Sequence, residues 1–234
     1  MNQYIVGHRG AMGLVPENTL KAFKIGCESN IQVVECDIHL SKDKKIVVIH
    51  DNTLNRTTNG HGWVKDFTSS ELKQLNAGDK EKIPSLKEVV DLVFAYKKKL
   101  IIEIKGESWE VVEETTNELN KFISQTSSII PNIIIHSFWL EAVKKVKQMH
   151  PNVLTAIIMM VGLSSVKFIE LIESAGANGA SIAYDYISPS LINLAKTKKL
   201  FLDAWVLDYD ETFNRMKTMG VNGLITNYPG RFNL

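Results

Sequence analysis

Two short runs, VVECDIHL at residues 33–40 and LIIEIK at residues 100–105, decide the fold of this 234-residue chain. Their Val, Ile and Leu residues follow one another rather than alternating strictly with polar residues, which is typical of parallel strands buried on both faces of a sheet. Similar runs occur along the whole chain, and segments with the 3.6-residue period of a helix separate them. Eight strands are therefore predicted, beginning near Tyr4, Val33, Leu100, Ile133, Leu154, Ala180, Leu202 and Leu224.

Eight strands that alternate with helices predict a (β/α)8 TIM barrel, and the chain length suits a compact one. A doubly wound open sheet is the alternative, but neither a G-x-G-x-x-G motif nor a P-loop follows the first strand. Asn18 is interpreted as the N-cap of the first helix, and Pro84 is placed in the first turn of the second, where its missing N–H costs nothing. The helices are expected at residues 18–29, 84–98, 109–123, 140–149, 165–174, 189–198 and 210–219.

Two segments interrupt this alternation. Ile46–Ile49 is a further strand-like run so soon after Val33–Leu40 that the two should form an antiparallel hairpin, with Ile46–Ile49 outside the barrel count. Residues 52–82 are polar and are expected to form a small insertion near the catalytic loops. The chain stops soon after the last strand, so the last helix should be reduced or missing. We therefore expect residues 1–234 to form one barrel domain.

The composition excludes several classes of function. Lys plus Arg is 27 and Asp plus Glu is 26, so the net charge is 27 − 26 = +1 and no nucleic-acid partner is expected. Cys27 and Cys36 are too few for a disulfide framework or a zinc site and are expected to be buried thiols. The N-terminus does not resemble a signal peptide, and the longest strongly apolar stretch, Ala156–Leu163, is far shorter than the roughly 20 residues that span a bilayer. We expect a cytoplasmic protein without stable membrane insertion.

Charged residues gather where the predicted strands end, which is the end of a barrel that carries active sites. Side chains alternate along a strand, so Glu35 and Asp37 should point to one face, as should Glu103 and Lys105. Three acids in a barrel mouth repel one another unless a cation lies between them. Oxygen ligands favour a hard cation, so the sequence predicts one Mg²⁺ or Ca²⁺ ion held by Glu35, Asp37 and Glu103.

Two histidines should flank this metal site. His8 follows the first strand, and the predicted hairpin returns His50 almost opposite Asp37. Arg9 and Lys105 add positive charge, which together with a metal suits an anion such as a phosphoryl group. Two imidazoles suit one general base and one general acid near neutral pH. These residues together favour metal-assisted hydrolysis of a phosphoester.

The same residues resemble the glycerophosphodiester phosphodiesterase family. The ordered motifs that carry the resemblance are His8-Arg9-Gly10, Pro16-Glu17-Asn18-Thr19, Glu35-Cys36-Asp37, His50-Asp51, Arg56-Thr57-Thr58, Pro84-Ser85-Leu86, Glu103-Ile104-Lys105, Ser137-Phe138, Trp205 and Ile225-Thr226-Asn227-Tyr228-Pro229. Each motif alone is weak, but the ordered set covers essentially the whole chain and is highly specific.

The resemblance implies hydrolysis of diesters such as glycerophosphocholine to sn-glycerol 3-phosphate and an alcohol. It implies that His8 and His50 are the acid–base pair, and that Glu35, Asp37 and Glu103 hold the metal. Arg9 and Lys105 would bind the phosphate, with Trp205 against the glycerol or leaving-group side. The family often has Asp at the position of Asn227 and Asn at that of Asp208, which we interpret as a change at the substrate rim or in loop stability. Whether a neighbouring glycerol hydroxyl attacks phosphorus first, giving a cyclic phosphate, is left open.

Two other functions are compatible with the same barrel. A phospholipase C- or D-like enzyme would act on intact lipids, but we expect no hydrophobic rim around the site to hold it on a membrane surface. A non-catalytic phosphoester-binding protein is the other alternative. It would not need a complete set of acid–base and metal-binding residues, and the presence of that set argues against it. The oligomeric state is not predicted.

Overall fold

Eight parallel strands close into a ring in the computed structural model, which describes residues 2–234. The first strand closes the ring by pairing with both the second and the last. The predicted barrel is therefore confirmed. The ring strands are β1 Tyr4–Gly7, β2 Val33–Leu40, β4 Lys99–Ile104, β5 Ile133–Ser137, β6 Leu154–Met159, β7 Gly179–Ala183, β8 Phe201–Trp205 and β9 Gly223–Thr226. Met1, with which the predicted N-terminus and domain begin, lies outside the described residues.

The remaining strand, β3 Ile46–Val48, pairs antiparallel with β2 and lies outside the ring, as the short connection predicts. The register places Val48 opposite Ile38, and the amide of Ile49 donates to the carbonyl of Asp37 at 3.0 Å. His50 therefore lies one residue beyond the position opposite Asp37. This hairpin brings His50 to the same end of the barrel as Asp37.

Helices cover the outside of the ring, and two of the expected starts are wrong. The helix expected at residue 84 begins at Leu86, because Ser85 and Glu88 form a capping box and leave Pro84 outside the helix. The first helix begins at Leu20 and is capped by Thr19 rather than by Asn18. The helices are α1 Leu20–Glu28, α2 Ser69–Gln74, α3 Leu86–Ala95, α4 Trp109–Gln125, α5 Leu140–Met149, α6 Ser165–Ser174, α7 Pro189–Thr197 and α8 Asp210–Met219.

The segment 52–82 folds against the hairpin with its own small core. Leu54, Val64 and Leu72 pack with Val47 and Ile49 of the hairpin arm. Its helix α2 begins with a capping box between Thr68 and Glu71. Beyond β9 the described residues 227–234 contain turns and no helix, in agreement with the expected loss of the last helix.

Two apolar layers hold the barrel. One lies inside the ring and includes Val6, Ile101 and Phe201, and the other lies between the strands and the helices. Cys27 and Cys36 are free and buried in the outer layer. No helix within residues 2–234 has the length and apolar character needed to cross a membrane.

Candidate active site

Three acidic side chains meet at the carboxyl ends of β2 and β4. One carboxylate oxygen from each of Glu35, Asp37 and Glu103 lies within 4.8 Å of the others. Strand pairing explains the arrangement, because Asp37 and Glu103 are neighbours across the β2–β4 ladder and Glu35 lies two residues before Asp37 on the same face. Glu35 and Asp37 are fully buried, and Glu35 Oε1 and Asp37 Oδ1 accept no hydrogen bond from any described residue.

Burial and mutual repulsion oppose ionisation of this cluster. Burial, together with the carboxylates of Asp37 and Glu103, raises the pKa of Glu35 well above its ordinary value. Burial also raises the pKa of Glu103 to about 7, although Lys105 opposes the shift. At Asp37 burial is outweighed by Lys105 and Arg9, so its pKa lies below the ordinary value. One strongly acidic and two weakly acidic carboxyls therefore share this space.

The cluster fits a divalent cation. The donors are all carboxylate oxygens, which Mg²⁺ and Ca²⁺ prefer to nitrogen or sulfur. Unpartnered buried oxygens are costly, and a cation would satisfy Glu35 Oε1 and Asp37 Oδ1 together. Glu35, Asp37 and Glu103 could thus hold a metal ion.

His8 lies beside the acidic cluster, and its ring orientation is fixed by two residues from the far end of the chain. His8 Nδ1 is 2.7 Å from Asn227 Oδ1, while Asn227 Nδ2 donates to Asp208 Oδ2 at 2.6 Å. Because the amide nitrogen of Asn227 is engaged by Asp208, its oxygen faces His8 and accepts from Nδ1–H. Burial lowers the pKa of His8 to about 4, and Arg9 adds to the effect. His8 is therefore neutral at pH 7, with its Nε2 lone pair available.

Asp208 holds the loop after β9 as well as the side chain of Asn227. Asp208 also accepts from the backbone amide of Asn227 at 2.8 Å and from the Thr226 hydroxyl at 3.1 Å. The two positions interpreted above as departures from the family pattern therefore form one hydrogen-bonded pair. The residue that touches His8 is consequently a neutral amide.

His50 has a different pair of partners. Its Nδ1 is 2.7 Å from Asp51 Oδ1, so the ring donates to a carboxylate, and Lys105 Nζ donates to its Nε2 at 3.0 Å. Lys105 also contacts Glu103 at 2.8 Å and Asp37 at 3.6 Å. Burial lowers the pKa of His50, although Asp37 and the bond to Asp51 oppose this. The two histidines therefore face the acidic cluster with unlike supports, an amide behind His8 and a carboxylate behind His50.

One arginine of the insertion ties these groups together. Arg56 donates to both oxygens of Asp51 and to both oxygens of Glu17 at 2.7 to 2.8 Å. Glu17 in turn accepts from Arg9 Nη1 at 2.7 Å, and Arg9 Nε lies 3.4 Å from Asp37 Oδ2. Arg56 thereby supports His50 through Asp51 and Arg9 through Glu17.

Asn18 is the functional neighbour that the sequence interpretation missed. It is buried, its Nδ2 donates to Asp37 Oδ2 at 2.8 Å, and its Oδ1 accepts from the Asp37 amide at 3.3 Å. Its φ of +56° is a conformation that asparagine tolerates better than most residues. That tolerance and its place in Pro16-Glu17-Asn18-Thr19 are the only sequence signals, and neither distinguishes this role from a helix cap.

The preceding loop needs Gly10 to bring His8 and Arg9 into place. Gly10 has φ +82°, and a Cβ there would lie 2.6 Å from the carbonyl carbon of Ala22 in α1. The close approach of this loop to α1 lets the Arg9 amide donate to Glu35 Oε2 at 2.8 Å. Glycine is therefore required by both the backbone conformation and the packing.

Two adjoining spaces open from the acidic cluster, which we call the inner cavity and the outer cleft. The inner cavity, about 380 Å³, is charged on one side at His8, Arg9, Glu35, His50, Glu103 and Lys105, and apolar on the other at Phe138, Ile158, Met160, Trp205, Val206 and Ile225. The outer cleft, about 550 Å³, lies between the insertion and the loops after β4 and β5 and is lined in part by Asn52, Trp63 and Trp139. His50, Glu103, Lys105 and Phe138 border both spaces. Except for Asp37, the predicted site residues, Trp205 included, therefore line the inner cavity. Asp37 is fully buried and meets Glu35 and Glu103 in the acidic cluster.

The expectation that the site lacks a hydrophobic rim is wrong. Most of the exposed large apolar side chains among residues 2–234 lie in loops or first helical turns at the mouth of the barrel. They are Leu14, Trp63, Phe138, Met160, Val161, Val166, Tyr186 and Tyr209. The sequence did not reveal this because each residue belongs to a different loop, apart from Met160, Val161 and Val166.

Comparison with known proteins identifies similar chains. The sequence model of the glycerophosphoryl diester phosphodiesterase family matches residues 8–231. The chain is 37% identical to YhdW of Bacillus subtilis, covering 97% of this chain and 95% of that protein. It is 36% identical to the glycerophosphodiester phosphodiesterase of Caldanaerobacter subterraneus subsp. tengcongensis, covering 98% and 96%. The fold is similar to an Oleispira antarctica phosphodiesterase solved in complex with the product sn-glycerol-3-phosphate, with TM-score 0.89, 25% identity and coverage of 99% and 95%.

Proposed function

The chain belongs to the glycerophosphoryl diester phosphodiesterase family, and from that membership we propose that it hydrolyses glycerophosphodiesters to sn-glycerol 3-phosphate and an alcohol. The observation that carries the proposal is the cluster of Glu35, Asp37 and Glu103 beside two cationic side chains and two histidines that line the inner cavity. Such a set neutralises and orients a phosphodiester while leaving groups free to move protons.

Glu35, Asp37 and Glu103 would hold one Mg²⁺ or Ca²⁺ ion. When bound, the ion supplies Lewis-acid stabilisation of the negative charge on the phosphoryl oxygens. Arg9 and Lys105 would bind the same phosphate from the sides. Their ion pairs with Glu17, Asp37 and Glu103 hold both cations at the charged side of the inner cavity.

The unlike supports of the two histidines suggest separate roles. His8 donates from Nδ1 to a neutral amide and keeps its Nε2 lone pair, so it would take the proton of the attacking water or hydroxyl. His50 donates from Nδ1 to the Asp51 carboxylate, which stabilises a protonated ring, so it would give a proton to the leaving alcohol. The attacking oxygen bonds to phosphorus as the phosphorus–oxygen bond to the alcohol breaks. His8 takes one proton from the attacking water or hydroxyl, and His50, protonated beforehand, gives one proton to the alcohol oxygen.

The test is release of glycerol 3-phosphate from glycerophosphocholine after EDTA treatment and after adding Mg²⁺ or Ca²⁺. We expect the metal to restore product, and His8→Ala or His50→Ala to lower kcat by about 100-fold or more with the melting temperature preserved. His61→Ala, an exposed histidine of the insertion, is the matched control and should keep kcat. A folded wild-type protein that forms no product with either metal would contradict the proposal, and near-normal kcat in His50→Ala would contradict its role.

A further inference from the structure

A second group of polar side chains lies inside the barrel, and the proposed reaction does not use it. Asp203 of β8 and His136 of β5 belong to strands that two others separate in the ring, so they meet across the barrel interior. Asp203 Oδ2 lies 3.7 Å from His136 Nε2. Tyr4 of β1 donates its hydroxyl hydrogen to Asp203 Oδ1 at 2.7 Å. We call Tyr4, Asp203 and His136 the axial group.

The axial group is buried but incompletely paired. Asp203 Oδ2 and His136 Nε2 are both buried, and neither has a hydrogen-bond partner among the described residues. Their separation of 3.7 Å is longer than a hydrogen bond. Buried polar atoms without partners are costly, and apolar side chains would fill the same space at lower cost. Packing alone therefore does not explain why this part of the barrel is polar.

His136 connects the axial group to the inner cavity. Among the described residues that line the cavity, His136 and Ser181 are the two that belong to neither its charged side nor its apolar side, and Ser181 pairs with Asp203 in the β7–β8 ladder. Burial lowers the pKa of His136 to about 3, so the ring is neutral and has one N–H and one lone pair. Because Nε2 is directed toward Asp203, Nδ1 is the ring nitrogen that can meet a ligand in the cavity.

From this geometry we infer that His136 is a specificity-determining residue that hydrogen-bonds to the terminal hydroxyl of the glycerol, and that Asp203 is the positioning residue that holds the His136 ring. The inference rests on the proposed function, because a phosphate bound at Arg9 and Lys105 fixes where the glycerol begins. A glycerol that extends across the cavity from there brings its far hydroxyl to the uncharged polar part of the lining. A hydroxyl both donates and accepts, so it pairs with His136 Nδ1 whichever ring nitrogen carries the hydrogen.

Asp203 and Tyr4 would fix the ring of His136 from behind. The Tyr4 hydroxyl engages Oδ1 of Asp203 and leaves Oδ2 to face His136. When Oδ2 and Nε2 close to hydrogen-bond distance, the bond between them sets the plane of the ring and keeps Nδ1 directed at the cavity. The axial group would then favour a diester whose glycerol end is free over one that lacks the terminal hydroxyl.

The test compares sn-glycero-3-phosphocholine with its 1-deoxy analogue, in which hydrogen replaces the terminal hydroxyl. Choline release gives kcat/KM for both diesters. Calorimetry in the presence of Mg²⁺ gives the affinities for sn-glycerol 3-phosphate and its 1-deoxy analogue, independently of turnover. A buried polar group left without its partner is penalised, so the wild type should prefer the hydroxyl-bearing compound by about tenfold or more in both measurements.

Three variants assign this preference to the axial group. His136→Leu should reduce the preference to about twofold or less, because no side-chain partner for the hydroxyl remains at that position. Tyr4→Phe/Asp203→Leu leaves His136 without its support and should give an intermediate preference. Asp203→Asn, which can hydrogen-bond to both neighbours, should keep the wild-type preference. His150→Gln, at the end of α5, is the control. The ratio between the two compounds separates this role from a packing role, since a loosened barrel lowers both values alike.

The outcomes separate this inference from the proposed function. Equal values for the two compounds in the wild type, or a preference that persists in His136→Leu, overturn the inference, and hydrolysis of glycerophosphocholine then leaves the proposed function standing. A full preference in Tyr4→Phe/Asp203→Leu overturns the positioning role of Asp203. A preference in affinity that His136→Leu abolishes, without turnover of either diester, supports the inference and overturns the proposed function. Neither binding nor turnover of either compound overturns both.

Discussion

Exchanging the side chains of Asn227 and Asp208 should raise the pKa of His8. The wild-type ring donates to the Asn227 amide oxygen at 2.7 Å, and the carboxylate of Asp208 lies one hydrogen bond further away, at 2.6 Å from Asn227 Nδ2. In the double variant Asn227→Asp/Asp208→Asn, the same two hydrogen bonds can form with the negative charge next to His8. The backbone and the net charge are unchanged.

The size of the effect follows from the distance that the charge moves. Moving a unit charge from about 6 Å to about 3.5 Å from the imidazolium gains roughly 2 kcal/mol at an effective dielectric constant of about 20. That corresponds to a pKa rise of about one to one and a half. The pKa of His8, which burial holds at about 4 in the wild type, should therefore rise to between about 5 and 5.5.

The assay is NMR of labelled histidine rings, with wild type and double variant saturated with the same cation and His8 assigned from its loss in His8→Gln. At pH 7 the wild-type His8 should show a proton on Nδ1 and none on Nε2. Asn227→Asp alone is the internal control, because two carboxylates this close share a proton and should raise the pKa of His8 less. A proton on Nε2, or equal pKa values in wild type and double variant, would refute the reasoning. The acid limb of the pH profile of kcat/KM should move to higher pH with the NMR value.

Three further predictions concern the acidic cluster and its supports. Glu103→Gln should weaken Mg²⁺ binding, measured by calorimetry, by about tenfold or more. The control Glu114→Gln, at an exposed residue, should leave Mg²⁺ affinity unchanged. Equal affinities in wild type and Glu103→Gln would show that Glu103 is not a metal ligand. Because the metal-free fold raises the pKa of Glu103 to about 7, the stability present below the ordinary carboxyl pKa should decline as the pH rises through 7. Mg²⁺ should then raise the melting temperature more at pH 8 than at pH 5.5, and equal increases would contradict this. A lysine at position 56 cannot hydrogen-bond to both Glu17 and Asp51, so Arg56→Lys should lower kcat about tenfold or more with less change in KM. The control Arg231→Lys should keep the wild-type kcat and KM. An unchanged kcat in Arg56→Lys would show that Arg56 does not support the two catalytic groups.

The contact between Asn227 and His8 shows that residue roles cannot be assigned from a family pattern one position at a time. Taken separately, Asn227 and Asp208 are two departures in loops that follow different strands. The barrel places the two residues in direct hydrogen-bond contact, so each has the other as a partner. The role of a residue such as Asp208 can thus depend on a contact in another loop and not on its neighbours in sequence.

The sequence by itself determined the eight strands, the external hairpin and the spacing of the acids. These features depend on local order: strand formation follows continuous apolar runs, and the two-residue period puts Glu35 with Asp37 on one face. The starts of two helices were predicted wrongly, because Thr19 and Ser85 compete with neighbouring residues that also favour the first turn of a helix. The same period puts Cys36, which lies between the two acids, on the opposite face, where it packs in the outer layer.

Only the tertiary structure decided which residues hold the histidines, the arginine and the acidic cluster of the site in place. Asn227 reaches His8 across 219 residues, Arg56 reaches Glu17 across 39, and Asn18 reaches Asp37 across 19. Closure of the ring brings these segments together. The sequence pattern within a single segment does not predict which residues of another segment it will contact. The exposed apolar residues at the barrel mouth have the same origin. Phe138, Val161 and Tyr186 belong to three loops that become neighbours only when the strands before them pair.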